Sequence, residues 1–224
     1  MTEVVAEISG NHGGSLANAL ELIVHAKQAG ADAVKLQCFD PERLAARRGA
    51  SSDVLDLAAT SFGGADLIDL YRRVHTPQAW FPHLIDQCKE VDIAWFSSVF
   101  DPADVAFLET LDCPRYKISA FEMLDWDIIK AVRETGKPIV MSVRPRPGVT
   151  ILQATDYDGQ IVPLGLSAHG DITPAAGTPM VEYHLKLDAV ETPDSAFSLN
   201  ADDLRMMVAY IRQKVSIVRG DLYR

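Results

Sequence analysis

Short β-rich runs and amphipathic segments take turns along this chain, and that order restricts the folds open to it more than any other feature. "EVVAEIS" precedes "SLANALELIVHAKQAG", and the strand candidates "DAVKLQCF", "IAWFSSVF", "RYKISAF" and "PIVMSV" follow, with "PADVAFLETL" and "WDIIKAVRETG" among them. Repeated βα units build a parallel sheet with helices on its outer side. The first helix has Ser15 as its N-cap and Gly30 as its end, and puts Leu16, Ala19, Leu20, Ile23 and Ala26 on one stripe. Residues 40–64 read as a long connection rich in small residues, a type that often carries function.

Past Ser142 the rhythm changes. "VRPRPG", "DYDG" and "DITPAAGTP" stand where crossover helices belong, although "VTILQAT", "IVPLGLSA" and "MVEYHLKL" still read as strands. A last amphipathic helix runs from about Ala201 to Val218, capped by Asn200, with Leu204, Met207, Val208, Ile211 and Val215 on one face. Eight strand candidates predict an α/β fold, a TIM-type (β/α)8 barrel whose helices are missing or shortened between the fifth and eighth strands. Stripping those helices predicts that the apolar faces of strands six to eight, including Leu152, Leu166, Val181 and Tyr183, lie open to water and are covered in a homodimer or higher homo-oligomer.

Alternation inside the strands carries the functional information, because successive side chains point to opposite faces. Lys35 and Gln37 share one face of "DAVKLQC", Lys117 and Ser119 one face of "RYKISAF", Ser167 and His169 one face of "LGLSAH", and Glu182, His184 and Lys186 one face of "MVEYHLK". In a barrel with helices outside, that face points inward. Lysine and glutamate are costly there unless they meet one another, a metal or a charged ligand. Glu7, Lys35, Ser98, Lys117, Glu122, His169 and His184 all fall late in their strands or just past them, where barrel enzymes build their sites. Lys35 and Lys117 are cationic donors suited to a phosphate or carboxylate, and Ser98, Ser142 and Ser167 offer neutral hydrogen bonds to the same anion. A purely structural account pairs the lysines with Glu7 or Glu122. His169 and His184 are candidate ligands of one divalent ion, with hydrogen-bonded core histidines as the alternative.

Composition narrows the partner. The formal net charge is −10 over 224 residues, and no basic run interrupted by aromatics offsets it, so nucleic acid is not the expected ligand. Cys38, Cys88 and Cys113 are odd in number and form no CxxC pair, which suits a reducing compartment. The opening "MTEVVAEISGNHGG" is unlike a signal peptide, and no run approaches the roughly 18 apolar residues of a membrane span. The expectation is a cytoplasmic protein acting on a small molecule, without a membrane partner.

Several stretches match one pattern in order. "AEISGNHGGSLANALELIVHAKQAGADAVKLQ", "WFSSVFD", "PRYKISAFE", "GLSAHG", "VEYHLKLD" and "TPDSAFSL" resemble successive motifs of the sialic acid synthase family, the enzymes making N-acetylneuraminate, legionaminate and pseudaminate, and "LYRRVHTPQAW" looks most like the pseudaminate branch. The resemblance implies a barrel that condenses phosphoenolpyruvate with an N-acylated aldose, releasing phosphate, in surface polysaccharide biosynthesis. It implies that Lys35, Gln37, Ser98, Lys117, Ser142 and Ser167 contact substrate, phosphoenolpyruvate above all, that Glu7, Glu122 and Lys117 form the catalytic set, that Asp194 lies near the acceptor sugar, and that His169 and His184 bind a divalent metal, manganese being the expected ion. Ala168, Ala120 and Asp156 stand where the family pattern has an aspartate, a serine and an asparagine. The chain ends at Arg224 without the small antifreeze-like domain of longer relatives, so a shortened member with one barrel domain over residues 1–224 is expected. Two other readings stay open: a diverged barrel that binds a sugar or metal, or serves in an assembly, without condensation; and an aldolase or isomerase using Lys35 or Lys117 as a Schiff-base lysine.

Overall fold

Eight strands close into a barrel in chain order. The computed structural model describes residues 1–48, 67–146, 149–155, 161–168, 170, 173–175 and 177–221. The strands are β1 (Glu3–Glu7), β2 (Ala33–Cys38), β3 (Ala94–Val99), β4 (Tyr116–Ile118), β5 (Ile139–Arg146), β6 (Val149–Thr155), β7 (Ile161–Ala168) and β8 (Met180–His184). Helices α1 (Leu16–Ala29), α2 (Pro41–Arg48), α3 (Leu67–Val74), α4 (Phe81–Glu90), α5 (Pro102–Glu109), α6 (Trp126–Glu134) and α7 (Ala201–Asp221) accompany them. The predicted βα order is therefore the observed one.

The caps hold where the sequence marks them. Ser15 Oγ accepts from the Asn18 amide, and Gly30 ends α1 in the left-handed region at φ 89°, which a residue with a Cβ reaches only under strain. Asn200 Oδ1 accepts from the Asp203 amide at the start of α7. The buried face of α1 is Ala19, Leu22, Ile23, Ala26 and Ala29, so Leu22 joins the stripe and Leu20 sits at its edge.

Three features depart from expectation. The first is direction: β6 runs antiparallel to both β5 and β7, while every other neighbouring pair is parallel. A parallel crossover takes about a dozen residues or more, and only residues 147–148 separate β5 from β6 and 156–160 separate β6 from β7. Chains that short can return only as hairpins. Among the described residues no helix lies between β5 and β8, as predicted.

Secondly, part of the long connection is ordered as α2. Asp40 caps it by accepting from the Arg43 amide, and Leu44 packs with Phe39, Tyr71 and Phe100 in a small cluster beside the barrel. Residues 49–64 of that connection lie outside the described residues. Thirdly, Val181 and Tyr183 are fully buried rather than open to water. They belong to the main core, which also holds Leu204, Val208 and Ile211 of α7 and the buried face of α1. Leu166 is only partly buried against the same core, and the side chain of Leu152 lies outside the described residues.

Inside the barrel the lower end is apolar. Val5, Ala33, Phe96, Val140 and Met180 form a separate cluster, and the Arg115 guanidinium lies 4.0 Å from the Phe96 ring centroid, held by a bidentate pair with Glu3 at 2.7 and 3.0 Å. Beyond that floor, toward the C-terminal ends of the strands, Glu7, Lys35, Ser98, Lys117 and Glu182 are buried polar side chains.

Candidate active site

Register brings the inward-facing residues level with one another. Glu7 pairs across with Lys35 on one side and His184 on the other; Gln37 lies opposite Ser98, Ser98 opposite Lys117, and Ser167 opposite Glu182. Ser142 is buried two residues beyond Val140, the partner of Lys117. The residues that sequence places on separate strands thus share one interior.

Four of them form an ion network. Lys35 Nζ contacts Glu7 Oε2 and lies 3.2 Å from Glu182 Oε1, and Lys117 Nζ lies 3.3 Å from Glu182 Oε2. Ser167 Oγ donates to Glu182 Oε1 at 2.7 Å, Gln37 Nε2 to Glu7 Oε1 at 3.4 Å, and the Ser9 amide to Glu7 Oε1 at 2.8 Å. All four charged side chains are at least nine-tenths buried. Taking four charges out of water is expensive even when they pair, so such a network marks a site with a use for them.

The protons divide unevenly. Burial would lower Lys35, but Glu182 and Glu7 hold its ammonium above the ordinary lysine range. Burial would raise Glu182, but Lys117 and Lys35 hold its carboxyl below the usual carboxylate range. Glu7 is pushed upward by burial, against the pull of Lys35 and with repulsion from Glu182. Of the two carboxylates sharing Lys35, Glu7 is therefore the one suited to exchanging a proton. Burial brings Lys117 down to about 8, opposed by Glu182 and assisted by Lys35.

At the rim, His184 lies edge-on to Phe197, 5.0 Å between centroids, and its Nδ1 is 3.6 Å from Asp194 Oδ2. Burial, then the charge of Glu7, pushes Asp194 up to about 7. Asn11 ties the first loop to this segment, donating to the Leu185 carbonyl and Ser198 Oγ and accepting from Thr192 Oγ1 at 2.7 Å. The second predicted metal ligand, His169, lies outside the described residues, as does Asp156. Among the described residues no three histidine, cysteine, aspartate or glutamate side chains stand close enough to hold a metal. His184 with Asp194 supplies one nitrogen and one oxygen donor, a mixed set that suits a divalent transition ion. Ala168 is fully buried in the main apolar core on the outer side of β7.

Glu122 stands apart from the lysines' network. It is buried on the turn after β4, where Ser119 Oγ donates to Oε2 while Arg48 Nε and Nη2 donate to Oε1 at 3.0 and 2.5 Å. Sequence reasoning left two of these residues unassigned. Glu182 was visible as a polar residue two places before His184, on the same face, yet only register shows that it bridges both lysines. Arg48 carried no signal at all, because its meeting with Glu122 depends on how α2 folds back.

A barrel with one reversed strand, an apolar floor and a buried set of lysines and carboxylates at the strands' C-terminal ends defines the class. The chain belongs to the NeuB family, whose pattern matches residues 22–151 and 150–222. It is 31% identical to the pseudaminic acid synthase of Helicobacter pylori over 254 aligned positions, covering 95% of this chain and 74% of that protein. It is likewise 31% identical to the pseudaminic acid synthase of Campylobacter jejuni, with 97% and 75% covered. An alignment longer than the chain itself means that the relative has internal residues this chain lacks, and the family match divides at 150–151, within β6. The N-acetylneuraminic acid synthetase of Leptospira borgpetersenii shares the fold, with a TM-score of 0.77, 19% identity, and 97% of this chain and 85% of that one covered. No helix among the described residues is long and apolar enough to cross a membrane.

Proposed function

We propose that this protein condenses phosphoenolpyruvate with an N-acylated aldose to make a nonulosonate of the pseudaminate type, forming a carbon–carbon bond and releasing phosphate. The observation that carries this reading is the Lys35–Glu182–Lys117 bridge inside the barrel. Two buried ammonium groups share one carboxylate, so an incoming dianion finds two cations already in place. Ser98, Ser142 and Ser167 are buried around them as hydroxyl donors. The names of the pseudaminic acid synthases, and the sequence motifs, support the substrate class.

In this reading the methylene carbon of phosphoenolpyruvate attacks the aldehyde carbon of the acceptor, whose oxygen takes a proton to become a hydroxyl. Water adds at the carbon bearing the phosphate and loses its protons as that carbon becomes the ketone, and the carbon–oxygen bond to phosphate breaks with its electron pair leaving on phosphate. Lys35 and Lys117 hold the departing phosphate. Glu7, raised by burial and next to Lys35, exchanges the proton of the attacking water or of the new hydroxyl. Glu122 and Asp194 face the acceptor. His184, with His169, would hold manganese, which when bound supplies a Lewis acid for the acceptor aldehyde.

The test follows phosphate release from phosphoenolpyruvate with manganese and a panel of N-acylated hexoses. Release that needs an acceptor, and is lost in Lys117→Ala, is the expected result. No release with any acceptor, from a protein that still binds metal, assigns the chain to a barrel without condensation. Metal content measured on purified His184→Ala should fall below that of the wild type; an unchanged content removes His184 from the ligand set.

A further inference from the structure

Arg48 has no role in the chemistry above, yet it is among the most heavily engaged side chains of the molecule. It ends α2, a short and strongly polar helix that buries only Pro41 and Leu44. Arginines hold that helix across the ends of β3 and β4. Arg43 reaches Asp104 at 3.1 Å, and Arg47 bridges Asp101 at 3.2 Å and Asp125 at 2.6 Å, the residues that cap α5 and α6. Arg48 reaches further inward. Its Nε and Nη2 donate to Glu122 Oε1 and its Nη1 to the Tyr71 hydroxyl at 3.1 Å, while the rings of Phe121, Phe100 and Tyr71 lie 4.9, 5.6 and 5.8 Å from the guanidinium carbon.

We propose that Arg48 is a positioning residue: it fixes the Glu122 carboxylate at the barrel rim by loading one oxygen with two N–H groups while Ser119 takes the other. The importance of Glu122 to turnover rests on the condensation reading; the contact itself does not. A single hydroxyl would leave the carboxylate free to swing about its side-chain torsions. A planar guanidinium wedged among three rings removes that freedom at one defined angle, which a lysine cannot do. Misplacing a reacting group by about 1 Å costs on the order of a hundredfold in rate, so the effect belongs in kcat.

The test compares Arg48→Ala, Arg48→Lys and Arg47→Ala in the full chain, with thermal melts to confirm folding. Arg48→Ala should lose about 10- to 100-fold in kcat with the KM for phosphoenolpyruvate little changed, and added guanidinium ion should restore part of the loss. Arg48→Lys should fall between Arg48→Ala and the wild type. Arg47→Ala, which loosens the same helix without touching Glu122, should lower the melting temperature and keep kcat. A normal kcat in Arg48→Ala, an equal loss in Arg47→Ala, or the absence of guanidinium rescue overturns the proposal. Should the wild-type protein release no phosphate, the functional reading fails by itself. A crystal structure of Arg48→Ala then decides the positioning: a displaced Glu122 carboxylate supports it and an unmoved one overturns it.

Discussion

Lys117 governs the alkaline side of the site's pH dependence, because burial has brought its ammonium to about 8. Between about 8 and the ordinary lysine value of 10.5 the unfolded chain keeps a proton that the folded chain has released, so this group's contribution to stability rises with pH across that window. Anion binding runs the other way, since the cation disappears. On the condensation reading, the kcat/KM for phosphoenolpyruvate should fall above about pH 8, approaching roughly tenfold per unit, and steady-state kinetics from about pH 6.5 to about 9.5 would check it. Lys35 does not share this titration, because two carboxylates hold it above the ordinary range. Glu182 is the other side of the same balance. Glu182→Ala leaves Lys117 buried without its carboxylate and Lys35 with Glu7 alone, and should cost about 3–5 kcal/mol in urea unfolding, whereas Glu182→Gln retains an acceptor for the hydroxyl of Ser167 and should cost less.

Among the elements, the last part of the barrel shows both the strength and the limit of reading a sequence. All eight strands and the caps of α1 and α7 were legible, because period-two and helical stripes report which side of an element is buried, and that is local information. The reversal of β6 was not expected, because strand count carries no direction; the two short connections on either side of it impose that direction. What sequence could not show is contact between distant segments. Val181 and Tyr183 are fully buried in the same core as residues of α1 and α7, far away in sequence, so the expected exposed strip does not exist there. Likewise Lys35 meets Glu182 only because closure of the barrel brings β2 near β8 through β1. Two substitutions test this packing. Leu204, fully buried on α7, should cost about 2–5 kcal/mol when changed to alanine, measured by urea unfolding. Gly165 lies so close to β8 that an added Cβ would stand 1.7 Å from the Met180 carbonyl oxygen. Gly165→Ala must therefore push β7 from β8, and should cost about 3 kcal/mol or more and displace Ser167 from Glu182.

For the molecule as a whole, charge at long range and charge at the site oppose one another. The chain carries a formal −10, while its inner network sets two lysines against two carboxylates and adds no positive excess. The arginines of α2 near the rim are themselves committed to Asp101, Asp104, Asp125 and Glu122. On the condensation reading, a phosphoenolpyruvate anion approaching from solution therefore meets net repulsion until it is within the reach of Lys35 and Lys117. Salt acts mainly on the first of these: the Debye length shrinks from about 30 Å at 0.01 M to about 8 Å at 0.15 M, while buried contacts are screened far less. Raising ionic strength over that range should increase the kcat/KM for phosphoenolpyruvate severalfold and leave that of an uncharged N-acylated hexose unchanged, as read by phosphate release with each substrate varied in turn. A fall for the anion alone would mean that local cations at the rim, rather than the net charge, govern its approach. Equal changes for both substrates would place the effect on the fold instead of on encounter.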